Sequence, residues 1–473
     1  VTTPLEGRPG PDDHDPSGGG SASAATGATS ARDTAWVRRV GLFLGGQTVS
    51  LFGSMLVQYA VMWYLTLTTR SGAVLMLYAL FGMVPQALVS LFGGTLADRI
   101  NRKALIIASD ATIAVTTAVL AAVMGAGRTD LWLIYAALTI RSIGAGFQTP
   151  AVSAVLPQLV PGDRLLRVNG VNTTIQSAMS LLAPAAAGAV YAAGGIVPTL
   201  WIDVVTAAIG IGVLASLPIP RLSRAVSDEG APAGGGGIAG DGTAAPSSYI
   251  QDLVAGVRYT FGHRLVRWML MVYAIIFVLT VAPSLLTPLM MARSFADETW
   301  GDEVWRLTAL EIAFSAGMLL GGAAVALWFQ RRSREHMILA AAVVFGLLAI
   351  AIGLTTDLWV FLALMFASGA VVPFFSTPAT TLLQEKVAPE YMGRVFSFVS
   401  VVLALGMPIG MIVFGPLADV VRVETLLVAA GAVTLLVVVG AGLSPGGRAA
   451  REDGRAFRAA SLAGRGGDET VGR

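Results

Sequence analysis

Charge is absent from long runs of this chain. Val40–Thr69 carries none, nor does Ser71–Ala97; Ala104–Met124 holds only Asp110, Leu131–Leu156 only Arg141, and Val168–Pro220 only Asp203. A helix needs about 20 apolar residues to cross ~30 Å of hydrocarbon, so each of the first four runs predicts one span. The fifth is too long for one, and Gly194, Gly195 and Pro198 mark a turn that divides it into two. Six more apolar segments follow, near 266–290, 306–330, 337–356, 358–383, 395–419 and 425–443. The pattern predicts an all-α membrane protein of twelve transmembrane helices.

The polar intervals divide these spans into two sets of six. Residues 1–38 are mostly Gly, Ser, Ala, Pro and Asp, with little to bury, and predict an unfolded tail. A six-helix bundle is expected over 39–220 and a second over 265–443, with a polar, Arg-rich tail over 444–473. Between the bundles, 221–264 reads as a linker, flexible where Gly, Ala and Ser dominate. Its Ser248–Gly262 part places Ile250, Leu253, Val254, Val257 and Phe261 at helical spacing, with Gln251, Asp252 and Arg258 opposite. That predicts an amphipathic helix on the membrane surface.

The halves repeat. Phe147-Gln-Thr149-Pro150-Ala151 returns as Phe375-Ser-Thr377-Pro378-Ala379, 228 positions on, and Pro161 and Pro389 share the offset. Each copy is expected to end the fourth span of its half. Parallel repeats of this kind, related about an axis along the membrane normal, build many transport proteins. With the N-terminus inside, only Arg70, Arg128, Arg293, Arg306 and Arg422 fall in external loops and Arg141 within a span; the other basic residues face the cytoplasm. The positive-inside rule then puts both termini and the linker in the cytoplasm.

Composition narrows the chemistry. The chain is 55% hydrophobic and 13% charged, against roughly 25% charged in soluble domains. The formal net charge of +2 suits a basic cytoplasmic face better than a nucleic-acid partner. Without cysteine there are no disulfides, zinc–thiolate sites or thiol catalysis. His14, His263 and His336 stand in polar segments, so no intramembrane metal site and no cofactor is expected. Lys103 and Lys386, the only lysines, are not followed by Ser or Thr, which rules out a P-loop.

The second inner turn reads Gly93-Gly94-Thr95-Leu96-Ala97-Asp98-Arg99-Ile100-Asn101-Arg102-Lys103. It resembles the signature between helices 2 and 3 of the major facilitator superfamily. Gly94 allows close helix approach, Asp98 is placed to face a helix N-terminus, and Arg102 and Lys103 belong at the cytoplasmic interface. Asn101 replaces the usual glycine, and Asn tolerates a left-handed turn well. Within the superfamily the chain looks like the drug:proton antiporters, most of all the macrolide-exporter and siderophore (enterobactin-like) exporter branch. Arg141-Ser-Ile-Gly144-Ala-Gly146 resembles the helix-4 arginine motif of that group. Leu200-Trp-Ile-Asp203 and Leu310-Glu311 resemble segments of helices 6 and 8, while Ala183-Pro184-Ala-Ala-Ala-Gly188 keeps only part of the helix-5 antiporter motif.

The resemblance implies a monomeric exporter in the bacterial inner (cytoplasmic) membrane. It would move drugs, antibiotics or siderophores by proton antiport and alternating access. A proton-coupled importer of a metabolite stays open. A polytopic enzyme would need converging His, Asp or Glu near an interface, which the sequence lacks. A charge inside a membrane costs ~2.5–3.5 kcal/mol and usually marks function. Arg141 falls near the midplane and Glu311 beside the implied cavity, so both are assigned to proton coupling and substrate contact, with Arg141 favouring the ionised carboxylate when the two approach. Asp203, on a scaffold helix, is a third coupling candidate but reads first as a packing partner. Asp110 lies near the Arg99–Lys103 turn and is expected to form a gate salt bridge with it. Gln58 and Gln176 are expected to line the cavity, Gly317-x-x-x-Gly321 to pack helices, and Trp36, Trp63, Trp132, Trp201, Trp268 and Trp359 to sit at the interfaces.

Overall fold

The computed structural model describes residues 21–161, 164–218, 264–328, 334–387 and 389–443. Within these, the side chains of 21–35 and 91–99, of 166 and 442, and of scattered positions in 264–283, 328–335 and 386–401 lie outside the description. Gly94, Asp98 and Arg99 of the gate signature fall there, as does Trp268. The amphipathic helix expected over 248–262 lies outside the described residues altogether.

Every described element is α-helical. The first half holds α1 (Ser21–Thr69), α2 (Gly72–Arg99), α3 (Arg102–Gly125), α4 (Leu131–Leu159), α5 (Leu165–Gly194) and α6 (Ile196–Ser216). The second holds α7 (Arg264–Ser294), α8 (Glu303–Trp328), α9 (Arg334–Leu354), α10 (Leu358–Lys386), α11 (Pro389–Val420) and α12 (Val423–Leu443). Eleven contain a stretch long and apolar enough to cross a membrane. The other, α4, has 29 residues, and Arg141 and Gln148 lower its mean hydropathy. In α1 the apolar stretch is Trp36–Thr69, but helical backbone reaches back to Ser21, into the expected tail, where Ala-rich sequence favours helix.

Packing repeats between the halves. α1 lies against α6, α2 against α4, α3 against both α4 and α6, and each pairing recurs six helices later. The most extensive pairings between the halves are α2 with α11 and α5 with α8, and these too are equivalents of each other. Gly195, at φ +76, makes the turn between α5 and α6 where the Gly-Gly-Pro signal placed it. Gly317 and Gly321 let α8 touch α10 backbone to backbone; a methyl at either would overlap the carbonyl of Phe366 or Ala370.

Three expectations are corrected. Pro150 and Pro378 lie inside α4 and α10, which run on to Leu159 and Lys386, so the repeated motif does not end its helix. Neighbouring helices and cavity water can satisfy the backbone groups a membrane proline frees. Trp63 is fully buried and belongs to the core, not an interface, whereas Trp132, Trp201 and Trp359 are exposed. Asn101 is not left-handed: at φ −60 and ψ 108 it caps α3, its side chain accepting from the amides of Lys103 (3.1 Å) and Ala104 (3.4 Å).

The core locates the opening. At the end of the molecule carrying the short loops (residues 70–71, 126–130, 195 and 295–302), one apolar core draws on both halves, from Leu56, Trp63 and Leu75 to Leu289, Leu307 and Leu427. At the opposite end, from which the linker leaves, the described cores are separate. One contains only first-half residues such as Phe43 and Ile106, and the other two only second-half residues. Among the described residues, the halves therefore share a core at the short-loop end and keep separate cores at the linker end. Polar residues on the linker-end half of α5, Asn169, Thr173, Thr174, Gln176 and Ser177, are exposed, as befits a face toward water and not lipid.

Candidate functional site

Between the halves lies a cavity of about 430 Å³. Its wall is mostly thioether and aromatic, including Met55, Met62, Met365, Met407, Phe314 and Phe375. Unbranched methionines adapt to ligands of varied shape. Polar groups are few: Gln58, Tyr59 and Tyr78 from the first half, and Ser284, Glu311, Ser368 and Ser376 from the second. Among the described residues Glu311 has no ion pair and no hydrogen bond, and it is only partly exposed. It is thus a carboxyl group in an apolar cavity, and such a group is most cheaply held neutral until a cation or water reaches it.

The other intramembrane charges gather within the first half. Arg141 of α4 meets Asp203 of α6 at 2.5 Å, and Asp203 is wholly buried. Its carboxylate also accepts from Ser54 Oγ at 3.2 Å and Thr117 Oγ1 at 3.0 Å, and Arg141 contacts Thr117. Sequence reasoning had set Arg141 beside Glu311; the structure brings it to Asp203, because α3, α4 and α6 pack together. Arg141 still lines a second cavity of about 250 Å³, which shares Gln58, Tyr78, Met55 and Met83 with the first. Gln58 and Tyr78 therefore line both the cavity that holds Glu311 and the one that holds Arg141; Tyr78 Oη donates to the backbone carbonyl of Gln58 at 3.1 Å.

Asp110 is buried and makes no salt bridge among the described residues, which do not include the Arg99 side chain. Its Oδ1 accepts from Ser50 (3.2 Å) and Gln148 (2.5 Å), while Oδ2 has no partner among the described residues. It stands about two helical turns beyond Arg102, too deep to reach the turn preceding α3. Arg102 donates to the carbonyl of Ala154 at 2.9 Å, and Lys103 Nζ to those of Ala215 (2.8 Å) and Leu217 (2.7 Å). Both cations thus bind the C-terminal ends of α4 and α6, where helix dipoles favour positive charge. Gln176 is exposed but does not line the central cavity.

Sequence reasoning missed Tyr59 and Tyr78, which flank Gln58 in the cavity wall; Tyr59, adjoining a mid-span glutamine, was the available signal. It also missed the polar junction at the short-loop end. There Asp419 of α11 receives the backbone N–H of Gly72 (2.7 Å) and Ala73 (2.9 Å) and the hydroxyl of Ser71 (2.8 Å), all from the other half. Arg293 of α7 binds Asp419 at 2.9 Å, and Arg70 binds Glu303 at 2.8 Å.

Comparison with known proteins places this geometry among transporters. The family model for the Major Facilitator Superfamily matches residues 40–411 and 305–463. Macrolide efflux protein A of Streptococcus pyogenes is 30% identical over 406 residues, covering 85% of this chain and 95% of the relative. Multidrug efflux pump Tap of Mycolicibacterium fortuitum is 25% identical over 358 residues, 72% of this chain and 80% of the relative. Among solved structures, the nucleoside transporter NupG superposes with a TM-score of 0.63 at 12% identity, over 84% of this chain and 98% of its own. The POT family transporter PepTSo does so with a TM-score of 0.65 at 11% identity, over 88% and 98%. At such identities the structural likeness speaks for the fold alone.

Proposed function

Because the chain belongs to the Major Facilitator Superfamily, and so is a multi-pass membrane transporter and not an enzyme, we propose that it exports hydrophobic or amphipathic small molecules by proton antiport. Drugs and antibiotics, macrolides among them, are the proposed cargo, in line with relatives that carry out macrolide and multidrug efflux. The proposed setting is the bacterial cytoplasmic membrane, with both termini inside, so that the cavity faces the cytoplasm and the fused core seals the outside.

The observation that carries this reading is the lone carboxyl of Glu311 in a cavity walled by methionine and aromatic residues. The wall suits a large apolar ligand. The carboxyl suits a proton or the cationic part of that ligand, but not both together, which is the requirement for antiport. Arg141 and Asp203 are assigned a supporting role: their pair fixes the cation in the adjoining cavity, whose wall shares Gln58 and Tyr78 with that of Glu311. Glu311→Gln keeps the shape of the protonated acid but cannot release a proton. In proteoliposomes loaded with a macrolide, it should abolish accumulation driven by a pH gradient, a loss of at least tenfold, while downhill exchange persists. Accumulation at the wild-type level would move the coupling site away from Glu311.

A further inference from the structure

Of the helix pairs that join the halves, α2 with α11 and α5 with α8 make the most extensive contact. Along α2 and α11 the backbones meet at glycines: a methyl on Gly72 would overlap the Gly415 carbonyl, and one on Gly415 would press on Met76 and the Gly72 carbonyl. At the end of that contact Asp419 completes the α2 N-terminus. The first N–H groups of a helix have no partner within it, and they carry the positive end of its dipole. Here the groups of Gly72 and Ala73 are satisfied by a carboxylate from the opposite half, at 2.7 and 2.9 Å. Arg293 holds that carboxylate in place, donating to Asp419 and also to the carbonyls of Ala418 (2.6 Å) and Arg70 (2.8 Å).

We propose that Asp419 is a working part of the transport cycle, the clamp that keeps the cavity shut at the short-loop end and must release α2 before the cavity can open there. Exposure separates this junction from the buried Arg141–Asp203 pair. The side chains of Arg293 and Asp419 are each 30% exposed, against 11% and 0% for Arg141 and Asp203. Water can take over every hydrogen bond of the Asp419 junction as the halves part, so the contact can form and break repeatedly. A second observation comes from sequence. Gly415-Pro416-Leu417-Ala418-Asp419, at the C-terminus of α11, repeats the Gly-x-Leu-Ala-Asp of Gly94–Asp98 at the C-terminus of α2. The two helices run antiparallel, so each ends in this motif beside the beginning of the other, at opposite ends of the molecule. Asp419 stands on its own contacts, since the Asp98 side chain lies outside the described residues.

The test needs neither substrate nor coupling ion, so its failure is distinct from failure of the proposed function. The chain has no cysteine, which allows a single reporter at the cavity wall, Ser376→Cys. Its labelling by a membrane-impermeant maleimide is measured from the short-loop face, identified in parallel by Arg128→Cys. Adding Asp419→Ala removes a cap and an ion partner and should raise that labelling rate several-fold. Arg293→Gln leaves the cap and should raise it less. If either variant is monodisperse in detergent yet labels at the parental rate, the clamp assignment is overturned. If neither variant reaches the membrane folded, Asp419 is a structural rivet, and the proposal falls equally.

Discussion

Arg141 and Asp203 carry opposite charges in the middle of α4 and α6, and each makes the other tolerable. Truncating one member of a buried pair strands the other in a low-dielectric site and costs about 3–5 kcal/mol, although the intact pair adds little net stability. Asp203→Asn alone should therefore lower the thermal midpoint and the yield of folded protein in detergent. The double variant Arg141→Gln/Asp203→Asn should recover most of that loss, because no charge is left unpaired. A double variant no more stable than the single would mean that the pair is not what holds α4 to α6. The sequence marked both residues, since charge in an apolar run is conspicuous at any distance. It did not reveal their pairing, because nothing in the periodicity of one span states which face of another it meets. Asp419 was less visible still. At the margin of a span, beside Arg422, it reads as an ordinary loop carboxylate until the helix it caps is brought to it.

At the scale of elements, the apolar runs were enough to locate the helices, because crossing a bilayer imposes both length and composition on each. What they left undetermined was the local chemistry at helix ends and bends. Asn101 shows the difference. Read as a stand-in for glycine, it should adopt a left-handed turn; in the structure it is extended and caps α3 with its side chain. The two readings separate in a simple substitution. Threonine caps well but is strained in the left-handed region, so Asn101→Thr should hold the thermal stability within a few tenths of a kcal/mol, and Asn101→Ala should lose about 1 kcal/mol. A large loss on Asn101→Thr, followed by thermal unfolding in detergent, would restore the left-handed reading. The repeated motif carries the same lesson: it is expected to close its span, and both helices run on past Pro150 and Pro378 to Leu159 and Lys386.

For the whole molecule, the proposed orientation assigns the fused core to the outside. Reporter fusions at Gly230 and Gly454 should then register as cytoplasmic and one at Asp297 as external; a shared side for Gly230 and Asp297 would overturn the arrangement. The division into halves was legible from the repeated motif and the linker. Which end of the molecule is closed was not, since it depends on contacts between residues hundreds of positions apart, such as Arg70 and Glu303. That asymmetry bears on how substitutions combine. Energetic effects of substitutions add when residues share no neighbours and deviate from addition when they touch. At the linker end, Phe43 and Ile106 pack in one core of the described residues and Leu382 and Val395 in another, so these residues share no neighbours across the halves. At the short-loop end, Trp63 and Leu289 belong to one core, and a change in either half constrains what the other accepts. Joint substitutions at Trp63 and Leu289 should therefore depart from additivity, while a pair divided between the linker-end cores, such as Phe43 and Leu382, should add.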